Sequence, residues 1–397
     1  MRVLFLSTSG HLGGAERVLV DMVRATVTNG GTAGVLTVED GPLTAAVADA
    51  GGDCLSLPLP GGFGRTGESH AGLATMAALA ASAPPLLAYS RRLTAAIQSW
   101  RPDIVHSNGI KMHVLSARAA SAALVWHLHD YVGPRRVSRR LLKHFSDRPE
   151  IIAANSSDVA RDAARALGRG DIAVLLNAVD LERFRPAGAR ADLDRLAGLP
   201  PSDANVVRVG LVATYARWKG HETFIRALAH LGPRCPIRAY IVGSPVYRSA
   251  AAQVRDDELR ELADTMGVTG HLGFVPFQAD PAPIYRALDI VVHASTSPEP
   301  FGLVVAEAMA CGRAVVATTL GGVAEVADEE VASLHIAGDA SDLARAIERF
   351  VNDEHLRTRL GAAARARAEQ RFSPVRFADD LDRLHQDALR RRSGVTA

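Results

Sequence analysis

The 397-residue chain carries 45 basic and 43 acidic side chains, a net charge of +2 at pH 7, with 48% hydrophobic and 22% charged residues. That balance excludes a disordered or collagen-like polymer and speaks against a surface built to bind nucleic acid; at roughly 100–200 residues per domain the length suits two domains. Lysine is nearly absent: Lys111, Lys143 and Lys219 stand alone among arginines, which gives each surviving lysine added interest. Cys54, Cys235 and Cys311 are widely spaced without a CxxC pair, so neither a disulfide framework nor a zinc site is indicated, and a reducing cytoplasm fits.

The apolar start Val3–Ser7 is too short for the core of a signal peptide and reads as a first buried strand. Further strands are expected at Gly34–Val38, Ile104–His106, Leu124–His127 and Ile151–Ala154, with amphipathic helices between them. The Ser69–Ser90 stretch carries no Asp, Glu, Lys or Arg, but it is mostly Ala and Ser with Pro84-Pro85 and reads as a loop and weak helix rather than a membrane span. A polar, Pro-containing stretch from Arg185 to Asn205 is the linker candidate. Strands then resume at Val206–Val212, Ala239–Val242, Leu288–His293 and Ala314–Thr318, and a last helix from Pro374 presents Phe377, Leu381 and Leu384 on one face. Short apolar runs alternating with helices predict an α/β protein of two doubly wound, parallel-sheet domains, whose ligand cleft would lie at the carboxyl ends of the strands.

Chemistry concentrates after the strand that ends near His293. A loop containing Glu299 leads into a helix starting around Phe301 or Gly302, followed by Leu303 and Glu307. The first amides of a helix lack internal partners and suit a phosphate, and Gly302 lets that backbone come close. Glu307, four residues beyond Leu303 on the same face, suits a pair of hydroxyls such as those of a ribose, and Glu299 suits a sugar. Both glutamates are also compatible with a dipole-favoured helix start and a solvated helix face. Lys219, with Arg217 two residues earlier, falls at a strand-to-helix junction where a mobile point charge can meet a phosphate; the alternative is a cationic first turn, which the helix dipole disfavours. In the first half, Gly13 and Gly14 lie in a turn without dinucleotide-fingerprint spacing, and His127, His129 and Asp130 end a strand. His127 reads as a core histidine.

These segments resemble the retaining glycosyltransferases of family 4. Glu299 and Glu307 match that family's Glu-x7-Glu motif with Phe301-Gly302-Leu303 inside it, Gly321-Gly322 matches its next glycine-rich loop, Asn177–Asp180 matches the close of its first domain, and Lys219-Gly220 falls on its diphosphate-binding lysine. Arg217 departs from the family spacing, in which the arginine stands four to six residues before the lysine. The resemblance implies a GT-B fold of two facing Rossmann-like domains: 1–186 with a crossover helix 374–397, and 187–373. It implies that Lys219, Arg217 and the Phe301-Gly302-Leu303 turn hold a donor diphosphate, Glu307 the ribose, Glu299 the sugar, and the backbone of the Gly273–Pro276 loop, at Val275, the nucleobase. Gly13, Gly14, His129 and Asp130 would face the transferred sugar or the acceptor, with the acceptor itself chosen by variable loops such as Gly61–Pro85. The implied activity moves a hexose or amino-hexose from a nucleotide sugar, UDP-linked, to an acceptor hydroxyl with retention, in bacterial natural-product or cell-envelope glycoside biosynthesis. A sugar-nucleotide epimerase, a hydrolase and a binding module without turnover stay open. With no DxD motif in a plausible loop, neither a metal nor another cofactor is expected, and the nucleotide sugar is a co-substrate. The Arg135–Arg148 segment, with six Arg or Lys against one acid and Leu141, Leu142 and Phe145 interleaved, is a solvated helix face, a dock for an anionic acceptor or a contact with an anionic membrane.

Overall fold

A computed structural model describes residues 1–59, 83–203, 205–245 and 252–394. The continuous apolar runs form parallel strands buried on both faces, as such runs require. The first sheet comprises β1 (Arg2–Ser7), β2 (Thr32–Thr37), β3 (Asp53–Ser56), β4 (Ile104–Asn108), β5 (Ala123–Leu128), β6 (Ile151–Ala154) and β7 (Ile172–Val174), in the order β3-β2-β1-β4-β5-β6-β7. The second comprises β8 (Val207–Val212), β9 (Ile237–Val242), β10 (Leu272–Val275), β11 (Ile290–His293), β12 (Ala314–Thr318) and β13 (Ala332–His335), in the order β10-β9-β8-β11-β12-β13. Each order reverses once, between β1 and β4 and between β8 and β11. In open α/β sheets the loops at such a reversal form a crevice at the carboxyl ends of the strands.

The chain divides into two compact units, Met1–Ala178 with the segment from Pro374 onward, and Val179–Ser373. The boundary falls eight residues before the expected 186. The reason is local: the Val179 N–H donates to the Phe372 carbonyl, Phe184 lies against Tyr285, and Arg183 pairs with Asp280, so this stretch is already tied into the second unit. The Arg185–Asn205 stretch is not a free linker either. Within the second unit the Ala191 N–H donates to the Pro283 carbonyl, Arg286 Nε donates to the Ala189 carbonyl, and Asp194 accepts from Tyr240 Oη.

The last helix, Pro374–Ser393, belongs to the first unit. It buries Phe377, Leu381, Leu384, His385 and Ala388 against the helix Gly14–Thr28 and the strands β4 to β6, and Arg376 Nη2 donates to the Leu176 carbonyl at 2.8 Å. One expectation needs correcting: Gly273, Phe274 and Val275 are not a loop but part of β10, paired along β9, with Val275 fully buried. The expectations for Gly61–Pro85 and for most of Ser69–Ser90 lie outside the described residues; the helix Ala83–Trp100 covers the end of both.

Candidate active site

In the second unit the reversal between β8 and β11 brings two loops together. The chain leaving β8 makes a short 3-10 turn, Arg217–Lys219, and enters the helix His221–Leu231 through Gly220. Gly220 has φ +74°, and a Cβ there would lie 1.9 Å from the Ala294 carbonyl oxygen in the loop leaving β11. Only glycine fits that approach. The two loops are joined directly, the Thr296 N–H donating to the Trp218 carbonyl at 2.8 Å. Beyond them Gly302, with φ +95°, opens the helix Leu303–Ala310, and the Gly322 N–H donates to the Glu299 carbonyl at 2.7 Å. The glycine-rich Gly321-Gly322 turn therefore fixes the Glu299 backbone.

Lys219 Nζ meets Glu299 Oε1 at 2.5 Å, with only 21% and 11% of the two side chains exposed. The Ser295 hydroxyl donates to the same carboxylate oxygen, and His293 Nε2 stands 3.3 Å from it. Burial alone would raise the Glu299 carboxyl, but His293 and Lys219 beside it outweigh burial and hold the group well below the usual carboxylate range. Glu307, half-buried on the helix Leu303–Ala310, accepts from Tyr285 Oη at 2.8 Å. The other expected donor-side residues are placed unevenly. Gly302 and Leu303 form the helix start. The Phe301 ring is buried edge-on to Phe372 at 5.6 Å, which leaves its backbone rather than its side chain for a ligand. Arg217 turns to Glu258, at 3.4 Å, rather than to Glu299. The Val275 carbonyl accepts from the Gly243 N–H and its side chain is core.

In the first unit Gly13 caps the helix Gly14–Thr28 and both glycines are exposed. Glu16 in its first turn is raised by burial, against opposing hydrogen bonds from its own backbone, Gly13 and Ser7. His129 Nε2 bonds to Asn108 Oδ1, and Asn108 Nδ2 donates to the Ala15 carbonyl, so the ends of β4 and β5 and the first turn of the helix Gly14–Thr28 form one polar cluster at the β1/β4 reversal. Burial pushes His129 down to about 4, which leaves a neutral imidazole near neutrality. Asp130 is held by Arg135 and accepts from the Tyr131 N–H. Beneath them lies a histidine core: His106 Nδ1 is 2.9 Å from His385 Nε2 on the last helix, and the ring of His127 lies 5.4 Å from that of His106 and 4.1 Å from that of His129. His127 is a core residue, as read from the sequence. Asn108, Ser295, His293 and Tyr285 were missed as site residues. His293 and Ser295 lie at the strand end and in the loop before Glu299, but nothing in the pattern there separates a site residue from a core one.

Among the described residues there is no cluster of three or more His, Cys, Asp or Glu able to hold a metal, and no helix long and apolar enough to cross a membrane. The helix Arg136–Phe145 buries Leu142 but leaves Val137 and Leu141 42% and 41% exposed among Arg136, Arg139, Arg140 and Lys143.

The chain matches the family model Glycosyltransferase Family 4 over residues 12–183 and that of Glycosyl transferases group 1 over residues 201–367. D-inositol 3-phosphate glycosyltransferases of Streptomyces bingchenggensis and Nocardia farcinica are 31% and 33% identical over 305 and 310 residues, which is 74% and 75% of this chain. The chain spans 64% of the length of each of these curated relatives. Among solved structures, Anabaena Alr3699/HepE in complex with UDP is 26% identical, with a TM-score of 0.79 over 97% of this chain and 100% of that one. A glycosyltransferase from Rickettsia africae shares the fold, with a TM-score of 0.80 at 18% identity over 98% of both chains. The architecture is thus that of the GT-B glycosyltransferases, two Rossmann-like domains. Two adjoining family matches that run almost from end to end, over two sheets each reversing once, place the chain in glycosyltransferase family 4.

Proposed function

We propose that this chain transfers a hexose or amino-hexose from a UDP-sugar to an acceptor hydroxyl with retention at the anomeric carbon. The observation that carries the reading is the Lys219–Glu299 pair at the β8/β11 reversal, beside the first turn of the helix Leu303–Ala310, which no side chain among the described residues caps. Lys219 and the helix amides would stabilise charge on the departing diphosphate, which is where electrostatic catalysis gains most. Glu299, ionised by its surroundings, would accept from sugar hydroxyls, and Glu307, already accepting from Tyr285, would accept from the ribose. Retention is written as front-face attack, the acceptor proton passing to the leaving diphosphate. This chemistry needs no protein carboxylate as nucleophile and no metal. Acceptor recognition is assigned to the first unit, with neutral His129 and Asp130 as its polar contacts. The names of the curated relatives make an inositol phosphate the first acceptor to test, and the UDP complex of the Anabaena neighbour makes UDP the first nucleotide.

The helix Arg136–Phe145 supports a second contact. Two exposed apolar side chains ringed by cations fit the interface of an anionic membrane, such as the inner face of a bacterial envelope. Mass spectrometry of reactions with UDP-glucose or UDP-N-acetylglucosamine, with and without inositol phosphate, tests the main reading. Acceptor-dependent glycoside with retained configuration is expected. Free sugar and UDP formed regardless of acceptor would show a hydrolase, and stable binding without turnover a binding module. Co-sedimentation with vesicles that ignored their content of anionic lipid would remove the membrane contact.

A further inference from the structure

His293 ends β11 with 5% of its surface exposed, and its Nδ1 has no hydrogen-bond partner among the described residues. Its Nε2 nevertheless lies 3.3 Å from Glu299 Oε1, the oxygen that Lys219 Nζ meets at 2.5 Å and the Ser295 hydroxyl also reaches. The backbone of His293 is fixed from the other side, where its carbonyl meets His335 Nε2 at 3.0 Å. One buried carboxylate thus has a fixed cation on it and a titratable ring beside it.

If Lys219 serves the donor diphosphate, as the reading above requires, donor binding draws the ammonium from Glu299 and brings further negative charge close by. A buried carboxylate stripped of its cation is costly, so the site must recover a positive charge or neutralise the acid. We propose that His293 is a positioning residue that takes up a proton from solvent as the donor binds, its Nε2–H replacing the Lys219 ammonium at Glu299 Oε1. Protonating Glu299 instead would leave a donor hydroxyl where the sugar needs an acceptor. Protonating His293 forms a charge-assisted bond and keeps Glu299 an acceptor. The charged and titratable groups around the ring are Glu299 and Lys219 on one side, and on the other His335 with Asp342, which accepts from the Ile336 N–H.

Isothermal titration of the full chain with UDP-glucose, without acceptor and in buffers of different ionisation heat, reads the proton directly. UDP-glucose has no group of its own that titrates near neutrality. The wild type should take up about one proton per donor bound above neutral pH, with affinity falling by up to about tenfold per pH unit. H293Q, which retains an N–H near the Nε2 position, should bind more weakly, with no uptake and no pH dependence over the same range. Donor binding by the wild type without proton uptake overturns the proposal. So does uptake that persists in H293Q, which would place the proton on Glu299. If H293Q does not fold, H293N takes its place, with the same outcomes expected and the same ones overturning the proposal. Failure of UDP-glucose, GDP-mannose and ADP-glucose to bind at any pH would instead overturn the donor reading, and the proposal with it.

Discussion

The first unit should be acid-labile because of its buried histidines. His106, His113, His127 and His385 are buried, and burial is the main force pushing all four down, His113 and His385 to about 3 and the other two well below the ordinary value. His106 and His385 sit ring to ring at 2.9 Å, a contact that needs one nitrogen to donate and the other to accept, so the two rings cannot both be charged there. Unfolding returns each to an ordinary pKa of about 6.5. Because the folded values are the depressed ones, the unfolded chain binds more protons below pH 6.5. The stability these groups contribute is therefore complete above that pH and is lost progressively as pH falls from 6.5 towards 3. At pH 5 the loss is about 2 kcal/mol for each of His113 and His385, or about 4 kcal/mol for the two, with His106 and His127 adding in the same direction. That is a large share of the roughly 5–15 kcal/mol by which a protein is stable. Carboxylates act in a lower window: Asp171, held at about 2 chiefly by Arg169, gives up its contribution only as pH falls below about 3.9. Urea unfolding of the full chain, followed by circular dichroism from pH 7.5 to 5, should show the loss, and H385Q should shrink its pH dependence by about 2 kcal/mol at pH 5. A stability flat across that range, or a pH dependence unchanged in H385Q, would refute the neutral histidine core.

Three further outcomes follow from the second unit. Lys219→Ala should lower donor turnover by roughly 100–1,000-fold, the cost of losing one preorganised charge on a leaving group; steady-state rates check it, and unchanged turnover would remove Lys219 from the site. Gly220→Ala should cost at least about 1–3 kcal/mol from its left-handed backbone alone, before the overlap with the Ala294 carbonyl, and differential scanning calorimetry should show a lowered Tm. Turnover should be unaffected by prolonged treatment with a chelator, whereas loss of activity restored by added Mg2+ or Mn2+ would overturn the metal-free reading.

The residues that could be read from sequence are those whose signal is local. Central strands such as Val3–Ser7 and Ala314–Thr318 show themselves because burial on both faces demands an unbroken apolar run. The edge strands Asp53–Ser56, Leu272–Val275 and Ala332–His335 do not, being short and interrupted by Asp, Gly or Ser where only one neighbour pairs. Lys219, Glu299 and Glu307 were likewise readable singly, from spacing and from the rarity of lysine. Their partnerships were not. Lys219 and Glu299 lie 80 residues apart and meet only because β8 and β11 are neighbours in the sheet, and Tyr285 reaches Glu307 from 22 residues away. Which side chains turn inward was no more legible. Phe301 and Val275 occupy positions a ligand would approach, yet their side chains face inward to Phe372 and to the sheet, because a loop beside a strand end serves the core and the crevice at once. Sheet order therefore decides which polar residue of a readable motif meets another. His293 illustrates this: as the last residue of an apolar run it reads as core, and only the geometry that puts Glu299 3.3 Å from its ring gives it chemistry to do.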